Sequence, residues 1–354
     1  MSALYSRFQY SGTNVGTIIF TIKRLAYLIL LLFGVATCVF FISKMVPGDA
    51  VSAYLSPRSL ANPDIVTAFK EKWGLNDSLW IQYLNYLTNL VKLDLGVSIR
   101  TGNPVVEELK RSYPATMELA FFSILFASIM GVLFGIVSAT KRNSIVDQMV
   151  RTISVTGVSI PSFWFAIIVL FIFYSKLGWA PGIGRLSLRV SPPERISGMY
   201  VLDGLLTGDM AAVKDALAHL ILPAIVLGSF TMGLITRTTR SSLLETLSSD
   251  YIRTARAKGL TDRGIMVVHA FGNAAIPVLT VIGVGFGNLL GGMVVVEKIF
   301  AWPGVGQFAY QSVLGLDFPA IIGVSLLIAL NYAVINLIID LLYGVIDPRV
   351  RVGR

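Results

Sequence analysis

Six windows of this chain stay apolar for long enough to cross a bilayer as helices, at approximately Leu25–Val46, Ala115–Ala139, Thr152–Tyr174, Leu217–Thr236, Asn273–Val296 and Ala320–Leu342. Each meets the roughly 20 residues that a hydrocarbon core of about 30 Å requires. Polar and charged residues gather in the stretches between them, so the alternation predicts an all-α polytopic membrane protein with six transmembrane helices. The first window resembles a signal sequence in having Lys23 and Arg24 before it, but no small-residue cleavage pattern follows and Lys44 falls where that pattern would lie. It reads as a retained helix. The expected organisation is a leader at 1–24, the first span at 25–46, an outer segment at 47–113, a core at 114–350 containing a loop at 237–272, and a tail at 351–354.

Composition agrees with that pattern. Of 354 residues, 55% are hydrophobic and 14% charged, with a mean hydropathy of +0.73, far from the balance of a soluble domain. The formal net charge is +9. Basic residues cluster at Lys141/Arg142, Arg237/Arg240, Arg253/Arg256/Lys258 and Arg349/Arg351, and the bias of such clusters toward the cytoplasm predicts that both termini lie inside. The basic excess is then topological and calls for no nucleic-acid partner. The single cysteine, Cys38, lies within an apolar run, so there is no disulfide framework.

Pro47 to Tyr113 forms the first outer segment, where Trp73, Trp80, Tyr83 and Tyr86 are spaced to give a helix an aromatic face. That face fits packing on the ends of the spans, a place at the membrane interface, or contact with substrate. Ser175 to Ala216 is predicted to be turn-rich, given Pro181, Gly182, Gly184, Pro192 and Pro193, with a short helix near Met210 to Ala216. Gly283, Gly287 and Gly291 recur at intervals of four and let a neighbouring backbone approach, either within this chain or at a seam with a second membrane subunit. Pro161 and Pro223 permit kinks. Glu118 and Asp340 near span ends read as structural carboxylates reaching the headgroup region, and Asn331 as a bond across helices or part of a pathway.

Catalytic signatures are missing. His219 and His269 are far apart and read as packing or interface residues without an acidic partner nearby. No H-E-x-x-H or G-x-S-x-G pattern occurs. Gly259 to Gly264 has the glycine spacing of a phosphate-binding loop, but Ile265 and Met266 stand where Lys and Ser/Thr would be needed. The sequence therefore predicts no ATP binding, no metal site, no cofactor and no enzyme. A secondary transporter or channel would call for inverted repeats, broken mid-membrane helices and ionisable residues at the midplane, and the sequence displays none of these.

The stretch from Asp250 to Pro277 is charged and punctuated by glycine between two apolar segments. Ser248 or Ser249 can cap a short helix, Arg256 and Lys258 in its last turn complement the macrodipole, and Gly259 can supply the left-handed residue that ends it. Thr261 can start a second helix climbing toward Pro277. Such a pair is a rigid protrusion able to pass a partner's displacement to the spans on either side, which a flexible loop would absorb.

TARAKGL at Thr254–Leu260, followed by HAFGNAAIP at His269–Pro277, resembles the cytoplasmic "EAA" loop of binding-protein-dependent ABC importer permeases, in the form found in dipeptide and oligopeptide permeases. The likeness runs from about Lys23 to Arg351 and includes Pro47-Gly48-Asp49, Gln82-Tyr83, Asp94 to Ser98, Ala115 to Leu119, His219 to Ala224, Glu297 to Gly306, Asp317 to Pro319 and Asp340 to Arg349. Ala50, Leu93 and Gly272 depart from the usual residues. The resemblance implies the type I importer permease fold in the inner membrane, with a heterodimeric second permease chain, two cytoplasmic ATPase subunits, and a periplasmic or lipid-anchored substrate-binding protein. It places ATPase docking on Asp250, Arg253, Thr254, Ala255, Arg256, Ala257, Lys258, Gly259, Leu260, Thr261, His269 and Asn273. Peptides are the implied cargo; members of the family also carry nickel complexes, glutathione and sugars.

Overall fold

The computed structural model describes residues 24, 26–45, 51, 55, 57–72 and 76–346. The leader, Pro47-Gly48-Asp49, Trp73, Asp347-Pro348-Arg349, the tail and the side chains of Asp340 and Tyr343 lie outside the described residues. Within them the chain is helical, and Val97 with Pro104 makes an isolated bridge. The principal helices are α1 (Ala26–Met45), α2 (Leu79–Val91), α3 (Val105–Thr140), α4 (Ile145–Ser159), α5 (Ser162–Val169), α6 (Tyr200–Thr207), α7 (Met210–Leu247), α8 (Asp250–Ala257), α9 (Phe271–Ile299), α10 (Val305–Leu314) and α11 (Phe318–Ile346).

Among the described residues, five helices are long and apolar enough to cross a membrane, and α4 with α5 and the segment that continues it makes a sixth span only if the bent pair counts as one. The continuous helix expected over Thr152–Tyr174 is therefore broken, with a bend of 110°. Pro161 explains the break. It has no N–H to donate and pushes the residue before it out of the helical region, and Ile160 accordingly has φ −77°, ψ 128°. Pro223 and Pro277, by contrast, sit inside continuous helices. The short helix expected near Met210 is instead the first turns of α7, started by the Asp209 side chain accepting from Ala212 N, and α6 is an element the sequence reading did not foresee.

Contacts divide the chain into two units, one running to Ser112 and including Phe308–Val334, the other holding Tyr113–Gln307 and the residues from Ile335. In the first, α2 lies against α1. Tyr83 and Thr37 share a hydroxyl hydrogen bond of 2.7 Å, the Phe40 ring stands 5.3 Å from both Tyr83 and Tyr86, and Lys44 Nζ donates to Gln82 Oε1. The aromatic face predicted for this segment thus packs on the span, while Trp80 stays 70% exposed. Burial, with Tyr83 beside it, pushes the Tyr86 hydroxyl up to about 12.

The second unit is organised around α7, which packs on α3, α4, α5, α6 and α9. Close approach explains its glycines: a Cβ on Gly228 would stand 2.6 Å from the Ser123 carbonyl oxygen, and one on Gly233 2.5 Å from that of Ser154. Backbone cannot yield as a flexible side chain does, so these crossings admit no larger residue.

Candidate functional site

The helix–glycine–helix unit read from Asp250 to Pro277 is present. α8 begins after Ser249, whose backbone is extended at φ −72°, ψ 155°, although its hydroxyl donates back to Thr246 O instead of capping. α8 ends in a Schellman arrangement. Leu260 N reaches Ala255 O, Gly259 N reaches Arg256 O, and Gly259 holds φ +79°, a conformation glycine adopts without a Cβ penalty. Thr261 Oγ1 then accepts from Gly264 N and starts the next turn, which passes through a π-helical segment, Ile265–Ala270, into α9.

A buried cluster fixes this unit to the bundle. Ile252, Ala255 and Ile265 pack with Ala139 of α3, Leu243 of α7, and Ala270 and Ala274. Ala255, which the resemblance includes among the docking residues, packs inward in this cluster. Asp250, Arg253, Thr254, Arg256, Ala257, Lys258, Gly259, Leu260 and Thr261 form the exposed tip. Asn273 Nδ2 donates to Tyr251 Oη at 2.8 Å and to His269 O at 3.1 Å, tying α8 to the foot of α9. Tyr251 was not singled out from the sequence; its value lies in a partner 22 residues away.

Just behind the tip lies a charged clamp the sequence did not reveal. Asp147 is fully buried and accepts from Arg240 Nε and Nη2, each at 2.9 Å, from Asn143 N at 2.9 Å and from the Ser138 hydroxyl. Ser144 caps α4 by accepting from Asp147 N. One carboxylate thus joins the turn between α3 and α4 to α7, two turns ahead of Leu247.

A second network closes the opposite end of α3 and α7. Glu118, expected to reach the headgroup region, instead turns inward; it is 2% exposed and takes Arg185 Nη2 at 2.6 Å and Val201 N at 2.7 Å. The Arg185 guanidinium stacks 3.6 Å from the Tyr200 ring centroid. Trp302 donates to Ala115 O, and Thr116 donates to Glu297 while accepting from Val305 N. Asp203 is held by Ser197 N, Ser197 Oγ and Gly198 N. Burial alone would raise its carboxyl, but these donors outweigh it and bring it below the usual range. His219, expected to lack an acidic partner, lies with Nδ1 3.5 Å from the Asp215 carboxylate one turn earlier and 2.8 Å from Asp215 O.

The glycine stripe divides. A Cβ on Gly283 would meet Ile339 of α11 at 2.5 Å, Gly287 is buried, and Gly291 is exposed with nothing near. Asn331 Nδ2 donates to Leu327 O within its own helix. Among the described residues no group of three or more His, Cys, Asp or Glu side chains could hold a metal ion.

Residues 131–352 match the family described as binding-protein-dependent transport system inner membrane component, and residues 17–120 match its N-terminal companion. The chain belongs to this family. It is 44% identical over 326 residues to the probable D,D-dipeptide transport system permease protein DdpB of Escherichia coli (strain K12), covering 92% of this chain and 95% of that protein. It is 42% identical over 332 residues to the dipeptide transport system permease protein DppB of Alkalihalophilus pseudofirmus, covering 94% and 99%. The glutathione transport system permease protein GsiC of Escherichia coli O6:H1 is 36% identical over 332 residues, with coverage of 94% and 98%. Among solved structures, a chain from the inward-facing MetNI methionine ABC transporter superposes with a TM-score of 0.51 at 18% identity, covering 68% of this chain and 97% of that one. The permease therefore has the type I importer fold. It is a multi-pass inner-membrane subunit without catalytic chemistry of its own, in a class that works with separate ATPase subunits and a substrate-binding protein. The sharp break between α4 and α5, akin to the broken helices the sequence reading reserved for secondary transporters, occurs here within an importer permease.

Proposed function

We propose that this permease pairs with a second permease chain to form the path by which di- and oligopeptides, delivered by a binding protein, enter the cell. Two ATPase subunits dock on the exposed tip from Asp250 to Thr261, with both termini on the same, cytoplasmic side. The observation that carries this reading is the tip's construction: a basic, glycine-terminated helix whose inner face is locked to α3 and α7 by Ile252 and Ala255, with Ile265 of the following segment in the same cluster. A locked element transmits displacement to the helices it is buried against. ATP binding closes the ATPases, drives the tip, and turns the cavity outward; hydrolysis resets it. Moving a two-state cavity from 1:99 to 99:1 takes about 5.5 kcal/mol of differential binding, within reach of a nucleotide and a docked partner.

Peptide cargo is supported by the two dipeptide-system relatives that share 42–44% identity. A glutathione reading is favoured by one relative at 36%. Reconstitution of the four-subunit importer with its binding protein in vesicles separates them: ATP-dependent uptake of labelled dipeptide, outcompeted by dipeptide and not by glutathione, is the expected result. Uptake without ATPase subunits would overturn the assignment.

A further inference from the structure

We propose that the break between α4 and α5 is a subsite of the translocation path that takes the main chain of a peptide; the inference rests on the transport reading above and locates one contact within it. α4 runs antiparallel to α7. Asp147 meets Arg240, a Cβ on Gly233 would touch the Ser154 carbonyl oxygen, and one on Gly157 would stand 3.1 Å from the Ser229 carbonyl oxygen. Ser229 lies about 10 Å along α7 from Thr236 and about 18 Å from Leu217, the two ends of its apolar window. The chain leaves its helix at Ile160, just past Gly157, so the break sits deep in the membrane.

At that depth the break leaves main-chain groups without partners. Pro161 has no N–H for the Gly157 carbonyl, and no donor among the described residues reaches the carbonyls of residues 158–160. The N–H groups of residues 162–164, in the first turn of α5, likewise find no acceptor. Ser159, Pro161, Ser162 and Phe163 are exposed, so this chain does not cover the segment. The hydrocarbon core supplies no hydrogen bonds, and irregular backbone at membrane depth persists only where protein buries it or water reaches it. Carbonyls and N–H groups a few residues apart complement the N–H and C=O groups of a peptide, which recur along any cargo whatever its side chains. Phe163 and Trp164, 52% and 51% exposed, offer apolar surface to those side chains. A seam with the second permease chain would instead need a fixed partner for each of these groups and would close the break to water.

The test uses the unaltered importer assembled in lipid nanodiscs, without binding protein or nucleotide, and a dipeptide carrying a photoreactive side chain. Mass spectrometry should place the label on residues 156–164. Unlabelled dipeptides with different side chains should displace it about equally. The ester analogue, in which oxygen replaces the peptide N–H, should compete about two- to tenfold less well, the share of one hydrogen bond. As a second measurement, Ser159→Cys in a Cys38→Ala chain should react with a water-soluble thiol reagent far faster than Ile167→Cys, an apolar position 55% exposed, and dipeptide should slow that reaction. Label that is absent or falls elsewhere, equal competition by the ester analogue, or a cysteine at 159 no more reactive than one at 167 would overturn the proposal. So would a photoreactive residue at position 162 that joins the second permease chain. If ATP-driven peptide uptake is intact, any of these results removes the subsite and leaves the transport assignment standing.

Discussion

Replacing Asp147 by alanine removes the acceptor on which four donors converge: the two Arg240 nitrogens, the Asn143 amide and the Ser138 hydroxyl. Asp147 is fully buried, while the Arg240 side chain is 21% exposed. Breaking a buried pair by deleting one member typically costs about 3–5 kcal/mol, because the survivor keeps an uncompensated charge. Asp147→Ala belongs at that level. Arg240→Ala should cost less, about 2–3 kcal/mol, since Ser138 and Asn143 still serve the remaining carboxylate. The double variant leaves no orphaned charge, so its loss should fall short of the sum by about 1–3 kcal/mol. Denaturant titration of the purified importer subunit, followed by circular dichroism, gives the four corners of the cycle. Losses that add within about 0.5 kcal/mol would refute the clamp. Because the clamp holds α7 just ahead of the α8 tip, both single variants should also reduce ATP-driven uptake while ATPase subunits still copurify.

Gly228→Ala should destabilise by about 1–3 kcal/mol, since its Cβ would press on a backbone carbonyl 2.6 Å away, whereas Gly272→Ala, with nothing within 4 Å, should be neutral or gain up to about 1 kcal/mol; thermal unfolding of the two variants checks the contrast. Asp203 titrates below its ordinary value, so its contribution is fully present above the unfolded value of about 3.9 and is lost as pH falls below it. Hydrogen exchange of residues 196–203 should stay protected from neutral pH to about 4 and then loosen, while Asp203→Asn should be poorly protected throughout and lose that acid transition.

The α8 tip was legible because its signals are local. Gly259, Thr261 and the cations of the last turn lie within a few residues of the features they produce, and the observed Schellman bonds and Thr261 cap follow from them. The tip's anchoring was less visible, since Ala255 looked like part of a docking motif and only the fold brings Ala139 and Leu243 against it. Asp147 with Arg240 and Glu118 with Arg185 are separated by 93 and 67 residues; no periodicity in one sequence pairs such residues. Arg240 accordingly looked like a topology marker and Glu118 like a headgroup contact. Asp215 was within reach, since a four-residue spacing on a helix places it beside His219. Pro161 announced a kink, but the 110° break depends on how α4 and α5 each pack on α7.

Force transfer through the α8 tip is tested most directly by a photoreactive residue at position 258 in the assembled importer. The account predicts a cross-link to an ATPase subunit, with none from the buried position 255. Reaction of position 258 with a membrane-impermeant reagent outside intact cells, or failure to join the ATPase in an importer that still transports, would contradict it.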